Sequence, residues 1–367
     1  MPVRVLVVDD SAFMRKAISM MIEDDPDIEV IGTARDGLEA IDKVKLMKPD
    51  LVTLDVEMPR MDGITALKKI MKENPLPVLM VSSLTVEGAR ATIDALSAGA
   101  VDFIPKQLSY VSLDITKIKG DLISKIKAIT RNRLRIFSKP LTNRASASKR
   151  PSALRLMGAQ VVTIGISTGG PFSLQKVVPS LPENFPLPVA IVQHMPPHFT
   201  RSLAERLDSI SRLEVCEAED GMELSRGKVY IAPGGLHMKF RRSEAAVKLS
   251  ITKEPADTLH RPSVDVMFSS AFDVFGGRVL AAVMTGMGHD GLEGVKLIKE
   301  AGGKVIAQDE ESCVVYGMPK SIVDAELADA IVPLDEIASA IITAVSQTGL
   351  PIDTLPSPFR NRTVNNR

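Results

Sequence analysis

The apolar run VVTIGI (161–166) leads directly into STGGP, so Ser167 stands in a Gly165-x-Ser167-x-Gly169 pattern. Residues of this type and spacing fit two chemistries. In one, a sharp strand-to-helix turn presents the serine as a nucleophile, with glycines where the backbone bends and a substrate approaches. In the other, the amides of a glycine-rich turn cradle a phosphate. No Lys-Ser/Thr pair follows as in a P-loop, and GISTGG lacks the G-x-G-x-x-G spacing. The stretch alone does not choose between them.

A serine nucleophile requires a base and a group that orients the base. The histidines are His194, His198, His237, His260 and His289. His194 follows the apolar strand PVAIVQ, which places it at a strand carboxyl end like Ser167. Pro196 and Pro197 separate it from His198, which argues against a shared helical face and a zinc-type pair. His237, after APGG, and His260, in a polar loop, are read as structural. Asp290 lies in TGMGHDG, after the run VLAAVM. A carboxylate there could hold an imidazole while loop amides serve an oxyanion, or it could cap a helix starting near Gly291. The chain order Ser, His, Asp differs from the Ser, Asp, His of α/β-hydrolases, which disfavours an ordinary esterase fold.

The first third of the chain carries a second constellation. Asp9 and Asp10 end one β-rich run and Asp55 another, so three carboxylates should meet at one sheet edge. Crowding of that kind is costly without a cation, and Mg²⁺ with its oxygen ligands fits. Ser82 and Lys106 end two further runs, a hydroxyl and a cation suited to a phosphoryl group. The capping alternative is plausible for Asp10 but explains neither Asp55 nor Lys106.

Positioning these groups takes two α/β units. Runs at 3–9, 29–34, 51–55, 77–82 and 102–106 alternate with helical patterns, as do later runs at 161–166, 188–193, 228–233, 279–286 and 304–309. Such alternation implies doubly wound parallel sheets with ligand sites at the strand carboxyl ends, while 236–252 reads as an antiparallel hairpin. Between the units, RNRLRIFSKPLTNRASASKRPSALR (131–155) is basic and contains no acidic residue, the composition of a solvated linker rather than a nucleic-acid arm. The expected division is 1–130, a linker over 131–157, a second domain over 158–350 and a tail over 351–367.

The 367 residues include 45 Lys+Arg and 45 Asp+Glu, so no whole-chain field points to nucleic acid. No apolar stretch is long enough to span a bilayer, and Cys216 and Cys313 form no metal-spaced or redox pair. A cytoplasmic protein without membrane insertion is the expectation.

The series VLVVDDS, LDVEMPRMDG, MVSS and AGAVDFIPK resembles the response-regulator receiver domain over about residues 1–125. The resemblance implies a flavodoxin-like fold with Asp55 as phosphoacceptor and Asp9, Asp10 and Asp55 around Mg²⁺. It also implies Ser82 as switch hydroxyl and Lys106 as phosphate-pairing lysine. Gln107 replaces the proline usual after that lysine.

Behind it, GISTGGP, VQHMPPHFT, VYIAPGGLHM, HRPSVDVMF and MTGMGHDG resemble the CheB family of chemotaxis protein-glutamate methylesterases. That resemblance implies Ser167 as nucleophile, His194 as general base and Asp290 as orienting carboxylate, with Thr168 and Met287 near the oxyanion and no role for His289. The implied enzyme hydrolyses glutamate methyl esters on chemotaxis receptors without a cofactor, deamidates receptor glutamines, and is activated by a histidine kinase. The competing readings are a phosphorylation-controlled scaffold without catalysis and a receiver-linked transcription regulator, the latter lacking any basic helix-turn-helix after Met157.

Overall fold

The structure is a computed structural model that describes residues 1–106, 114–131, 156, 158–244 and 246–346. Most of the expected linker, the tail from 351 and Gln107 lie outside the described residues.

The first half is a five-stranded parallel sheet. Its strands β1 (Val3–Val8), β2 (Ile28–Ala34), β3 (Leu51–Asp55), β4 (Val78–Ser82) and β5 (Asp102–Pro105) lie in the order β2-β1-β3-β4-β5. Helices α1 (Ala12–Glu23), α2 (Gly37–Met47), α3 (Gly63–Glu73), α4 (Val86–Ser97) and α5 (Asp114–Arg131) connect them or follow the last. Every residue of β3 and β4 is buried, the pattern of strands covered on both faces. Ser11 caps α1 by accepting from the Met14 amide, and Ile18 and Ile22 face the core one turn apart. The order reverses at β1 and β3, so the crevice at their carboxyl ends opens between Asp9 and Asp55.

The second half repeats the principle with seven parallel strands in the order β14-β13-β12-β6-β7-β9-β8. They are β6 (Val161–Ile166), β7 (Val189–Gln193), β8 (Glu214–Glu217), β9 (Lys228–Ile231), β12 (Val279–Val283), β13 (Lys304–Gln308) and β14 (Ala330–Val332). The hairpin is present as β10 (His237–Arg242) paired antiparallel with β11 (Val247–Thr252). The helices are α6 (Gly170–Val177), α7 (Phe199–Ile210), α8 (Val264–Phe275), α9 (Leu292–Glu300), α10 (Met318–Asp324) and α11 (Leu334–Ser346). Strand β6 starts the sheet between β7 and β12, so its switch point lies at the carboxyl end of β6. Among the described residues no helix is long and apolar enough to cross a membrane.

The two halves pack through α4, which lies against α6 and α7. Phe103 of β5 stacks on Phe199 with ring centroids 4.5 Å apart, and both rings are buried. Ser97 Oγ donates to Gln175 Oε1 at 2.7 Å. One apolar cluster joins Ile104, Leu122 and Ile126 to Val314 and Val315, with Met287 packed against it.

Truncation of a buried phenylalanine costs about 3–5 kcal/mol, and at position 103 it also removes a ring from the joint. Phe103→Ala should therefore lower the thermal midpoint and split a single calorimetric transition into two. One unsplit transition would show that the stack does not couple the halves.

Candidate active site and acidic pocket

Ser167 follows β6 and its backbone is held from three sides. Its amide donates to the Thr285 carbonyl at 3.0 Å, while its carbonyl accepts from Gly170 N at 2.8 Å and Gln193 Nε2 at 3.0 Å. The same Gln193 amide group reaches the His194 carbonyl at 3.1 Å, so one buried side chain ties the segments bearing the serine and the histidine. The Thr285 hydroxyl donates to the Thr168 carbonyl at 2.9 Å, and Gln308 Oε1 accepts from the Thr285 amide at 2.9 Å. Two glycines make room. A Cβ on Gly165 would meet Val264 Cγ1 at 2.4 Å, so its absence lets the start of α8 approach β6. A Cβ on Gly286 would lie 2.8 Å from that of Ser167.

His194 leaves β7 beside Ser167, its amide donating to the Ile166 carbonyl at 3.1 Å. Its Nε2 is 2.7 Å from Asp290 Oδ2. Its Nδ1 is buried and has no hydrogen-bond partner among the described residues, so Ser167 and His194 are neighbours without being hydrogen-bonded. With a proton on Nε2 facing the carboxylate, Nδ1 is the basic nitrogen.

Asp290 does not cap the helix that starts after Gly291; α9 has no side-chain cap bond. It caps α8 instead, because Asp290 Oδ2 accepts from Val264 N at 2.7 Å and Oδ1 from Asp265 N at 3.0 Å. The Ser263 hydroxyl donates to Oδ1 at 2.9 Å. Burial pushes this carboxyl up, but the His194 contact and the two α8 amides outweigh it and hold it well below the usual carboxylate range. The neighbouring Asp265 carboxyl is raised by burial and by the Asp290 charge, although amides such as Gly294 N, at 2.8 Å, oppose the shift.

The remaining candidates fall around this core. Thr168 is buried, Met287 is half-buried at the joint between the halves, and His289 and His198 are exposed. His260 stacks on His194 with centroids 4.1 Å apart and planes at 19°, and His237 is wholly buried. Gln193, Thr285, Gln308 and Ser263 were not anticipated; the available signal was a glutamine closing each of the apolar runs VAIVQ and KVIAQ.

At the other sheet edge, ligand oxygens of Asp9, Asp10 and Asp55 lie within 4.8 Å of one another. Lys106 Nζ pairs with Asp55 Oδ2 at 2.7 Å and Asp9 Oδ2 at 2.9 Å. Burial pushes the Asp55 carboxyl up to about 6; Lys106 opposes this and the Asp9 charge adds to it. An all-oxygen set of crowded carboxylates, two of them buried, fits a hard divalent cation such as Mg²⁺. Ser82 turns away from Asp55 here: its hydroxyl lies 2.7 Å from Thr92 Oγ1 and 3.1 Å from the Gly88 carbonyl, both on α4.

A family model described as CheB methylesterase matches residues 162–341, and one described as response regulator receiver domain matches 5–116. A protein-glutamate methylesterase/protein-glutamine glutaminase 1 of Oleidesulfovibrio alaskensis is 52% identical, with 94% of this chain and 99% of the relative covered. A Pyrococcus abyssi protein-glutamate methylesterase/protein-glutamine glutaminase is 46% identical, with 94% of each chain covered. Among solved structures, the Thermotoga maritima CheB methylesterase catalytic domain is similar at 46% identity and a TM-score of 0.49, covering 50% of this chain and 97% of that one.

Between pH 3.8 and about 6 the folded chain keeps a proton on Asp55 that the unfolded chain releases. Stability attributable to this group therefore falls as pH rises through that window. Without a divalent cation, Asp55→Asn should melt higher than the parent at pH 7, with the gap closing below pH 3.8. Mg²⁺ should raise the midpoint of the parent far more than that of the variant. Equal midpoints across the range would contradict the raised carboxyl.

Proposed function

The chain belongs to the CheB methylesterase family, joined to a response-regulator receiver, and from that membership we propose that it hydrolyses glutamate γ-methyl esters on chemotaxis receptors with Ser167, His194 and Asp290. The observation that carries the assignment is the His194–Asp290 pair, whose other ring nitrogen is buried without a partner on a segment whose backbone pairs with the one before Ser167.

In this reading the Ser167 hydroxyl oxygen attacks the ester carbonyl carbon as its proton passes to His194 Nδ1. The imidazolium formed is held by Asp290, which remains ionised. Collapse of the tetrahedral intermediate breaks the bond to the methoxy oxygen, and His194 returns the proton as methanol leaves. Water, deprotonated by His194, then attacks the glutamyl-Ser167 ester; the acyl bond to Ser167 Oγ breaks, His194 returns the proton to that oxygen, and the glutamate carboxylate leaves. A glutamine side chain can follow the same path with ammonia leaving, a step that depends more on proton donation by His194. Thr168 and Met287 flank the oxyanion. The enzyme works in the cytoplasm, where its histidine kinase donates the phosphoryl group.

Asp55 is the phosphoacceptor in this proposal, and Asp9, Asp10 and Asp55 would hold Mg²⁺, which supplies charge neutralisation there. The phosphoryl group adds roughly −1.5 to −2 charge. Lys106 meets that charge, and Ser82 turns toward it, giving up its contacts to Thr92 and Gly88 on α4. Since α4 packs on α6 and α7, which follow Ser167 and His194 in the chain, this would loosen the joint and widen access to the site.

Ser167→Ala and His194→Ala should each cut methanol release from methylated receptor membranes by about 10⁶, Asp290→Ala by about 10⁴, and the Ser167→Ala/His194→Ala double variant little further. A folded Ser167→Ala protein that kept most of its activity would remove the nucleophile assignment. A small phosphodonor should raise the rate of the parent and leave Asp55→Asn unchanged; equal stimulation of both would point to another acceptor.

A further inference from the structure

His237, at the start of β10, has no exposed surface, and its two ring nitrogens reach opposite ends of one loop. Nε2 is 3.1 Å from the Pro255 carbonyl and 3.2 Å from the Thr258 hydroxyl, while Nδ1 accepts from the Ser263 amide at 3.2 Å. An acceptor at Nδ1 and a carbonyl facing Nε2 fix the neutral ring with its proton on Nε2. Burial lowers the tendency of this ring to protonate, and the Arg261 and Lys239 charges act in the same direction. The Pro255 carbonyl and the Asp290 carboxylate oppose them.

What the loop carries gives the clamp its consequence. His260 lies within it and stacks face to face on His194. Ser263 ends it, and its hydroxyl donates to Asp290 Oδ1. One buried imidazole is therefore bonded to both ends of a loop that makes a contact to each member of the His194–Asp290 pair.

We propose that His237 is a positioning residue for ester hydrolysis: by clamping residues 255–263 it fixes the Ser263 hydroxyl on Asp290 and the His260 ring on His194. The proposal rests on the Ser167–His194–Asp290 reading above. His237 touches neither the substrate nor the reacting atoms in that reading. It acts on where the imidazole points, since Asp290 loses a donor and His194 a packing face when the loop slips. A displacement of about 1 Å in reacting groups costs on the order of 10² in rate. A residue that served stability alone would lower the folded fraction and leave turnover per folded molecule unchanged.

The test uses the full chain, activated with a small phosphodonor, and reads kcat and KM for methanol release from methylated receptor membranes. Far-UV circular dichroism and thermal midpoints report the folded fraction. His237→Leu keeps apolar bulk and removes every ring hydrogen bond; it should lose about 10² in kcat with KM unchanged. His237→Asn retains an acceptor near the position of Nδ1 and should recover most of that loss. His237→Gln reaches the Nε2 end instead and should recover less than Asn. Parent-like kcat in folded His237→Leu would overturn the proposal. If His237→Leu does not fold, the Asn and Gln variants decide: Gln equal to or better than Asn would overturn it. Ser167→Ala measured alongside separates the two levels, because activity surviving there defeats the triad reading whatever the His237 variants do.

Discussion

A carboxylate whose side chain is only 10% exposed must be surrounded by donors, and Asp290 is. His194 Nε2, the Val264 and Asp265 amides and the Ser263 hydroxyl all point at its two oxygens. Supplying them constrains much of the second half. The first turn of α8 has to end at the carboxyl edge of the sheet, which requires Gly165 to lack a side chain where Val264 crosses β6. The loop before α8 has to deliver Ser263 to both the helix cap and the carboxylate. Once these conditions hold, the imidazole faces Asp290 through Nε2, and its buried Nδ1 has no hydrogen-bond partner among the described residues. Removing a donor from such a site leaves buried charge uncompensated, which is far costlier than losing a surface hydrogen bond.

The acidic pocket of the first half shows the same physics left incomplete. Asp55 accepts a 3.3 Å bond from the Glu57 amide and pairs with Lys106, yet Asp9 and Asp10 crowd it. Burial, with the Asp9 charge adding to it, raises its carboxyl where that of Asp290 falls. A fully satisfied carboxylate is suited to orienting a neighbour and remaining unchanged. One short of compensation is suited to being completed from outside, as by a hard divalent cation.

Much of this was legible in the sequence because strand ends are easy to locate. Asp9, Asp55, Lys106, Ser167 and His194 each close or follow an apolar run, and parallel sheets bring such positions to one edge. Other features lacked a periodic signal. The edge strands at 214–217 and 330–332 are short, and the former is only partly buried, so neither stands out as an apolar run. Asp290 was legible as a candidate, but the helix it caps was not: Val264 is distant in the chain and reaches Asp290 only through the fold. The same holds for Ser263, Gln193 and Thr285, which act by hydrogen bonds across the sheet edge. His237 and His260 read as structural histidines; burial fits that for His237, whereas the contacts of the 255–263 loop to His194 and Asp290 are purely tertiary.

Each site lies a few residues along the chain from the aromatic stack between the halves. Phe103 precedes Lys106 by three residues on and just after β5, and Phe199 follows His194 by five. The segment from His194 to Phe199 includes Pro196, Pro197 and His198, the last with φ at 72°, so it has little freedom to absorb a shift. Leu84 and Pro105 of the receiver line a groove with those same three residues. Proximity alone transmits nothing; a coupled element needs two arrangements that both sites bias. In the proposed function Ser82 supplies the second arrangement, since its hydroxyl bonds α4 here and would turn to a phosphoryl group on Asp55. Because α4 and Phe103 bear on α6, α7 and Phe199, the choice made by one hydroxyl reaches the elements that frame Ser167 and His194. On that proposal the joint is a rigid contact governed by a small bistable one, which suits a graded release of the site better than a remodelling of its chemistry.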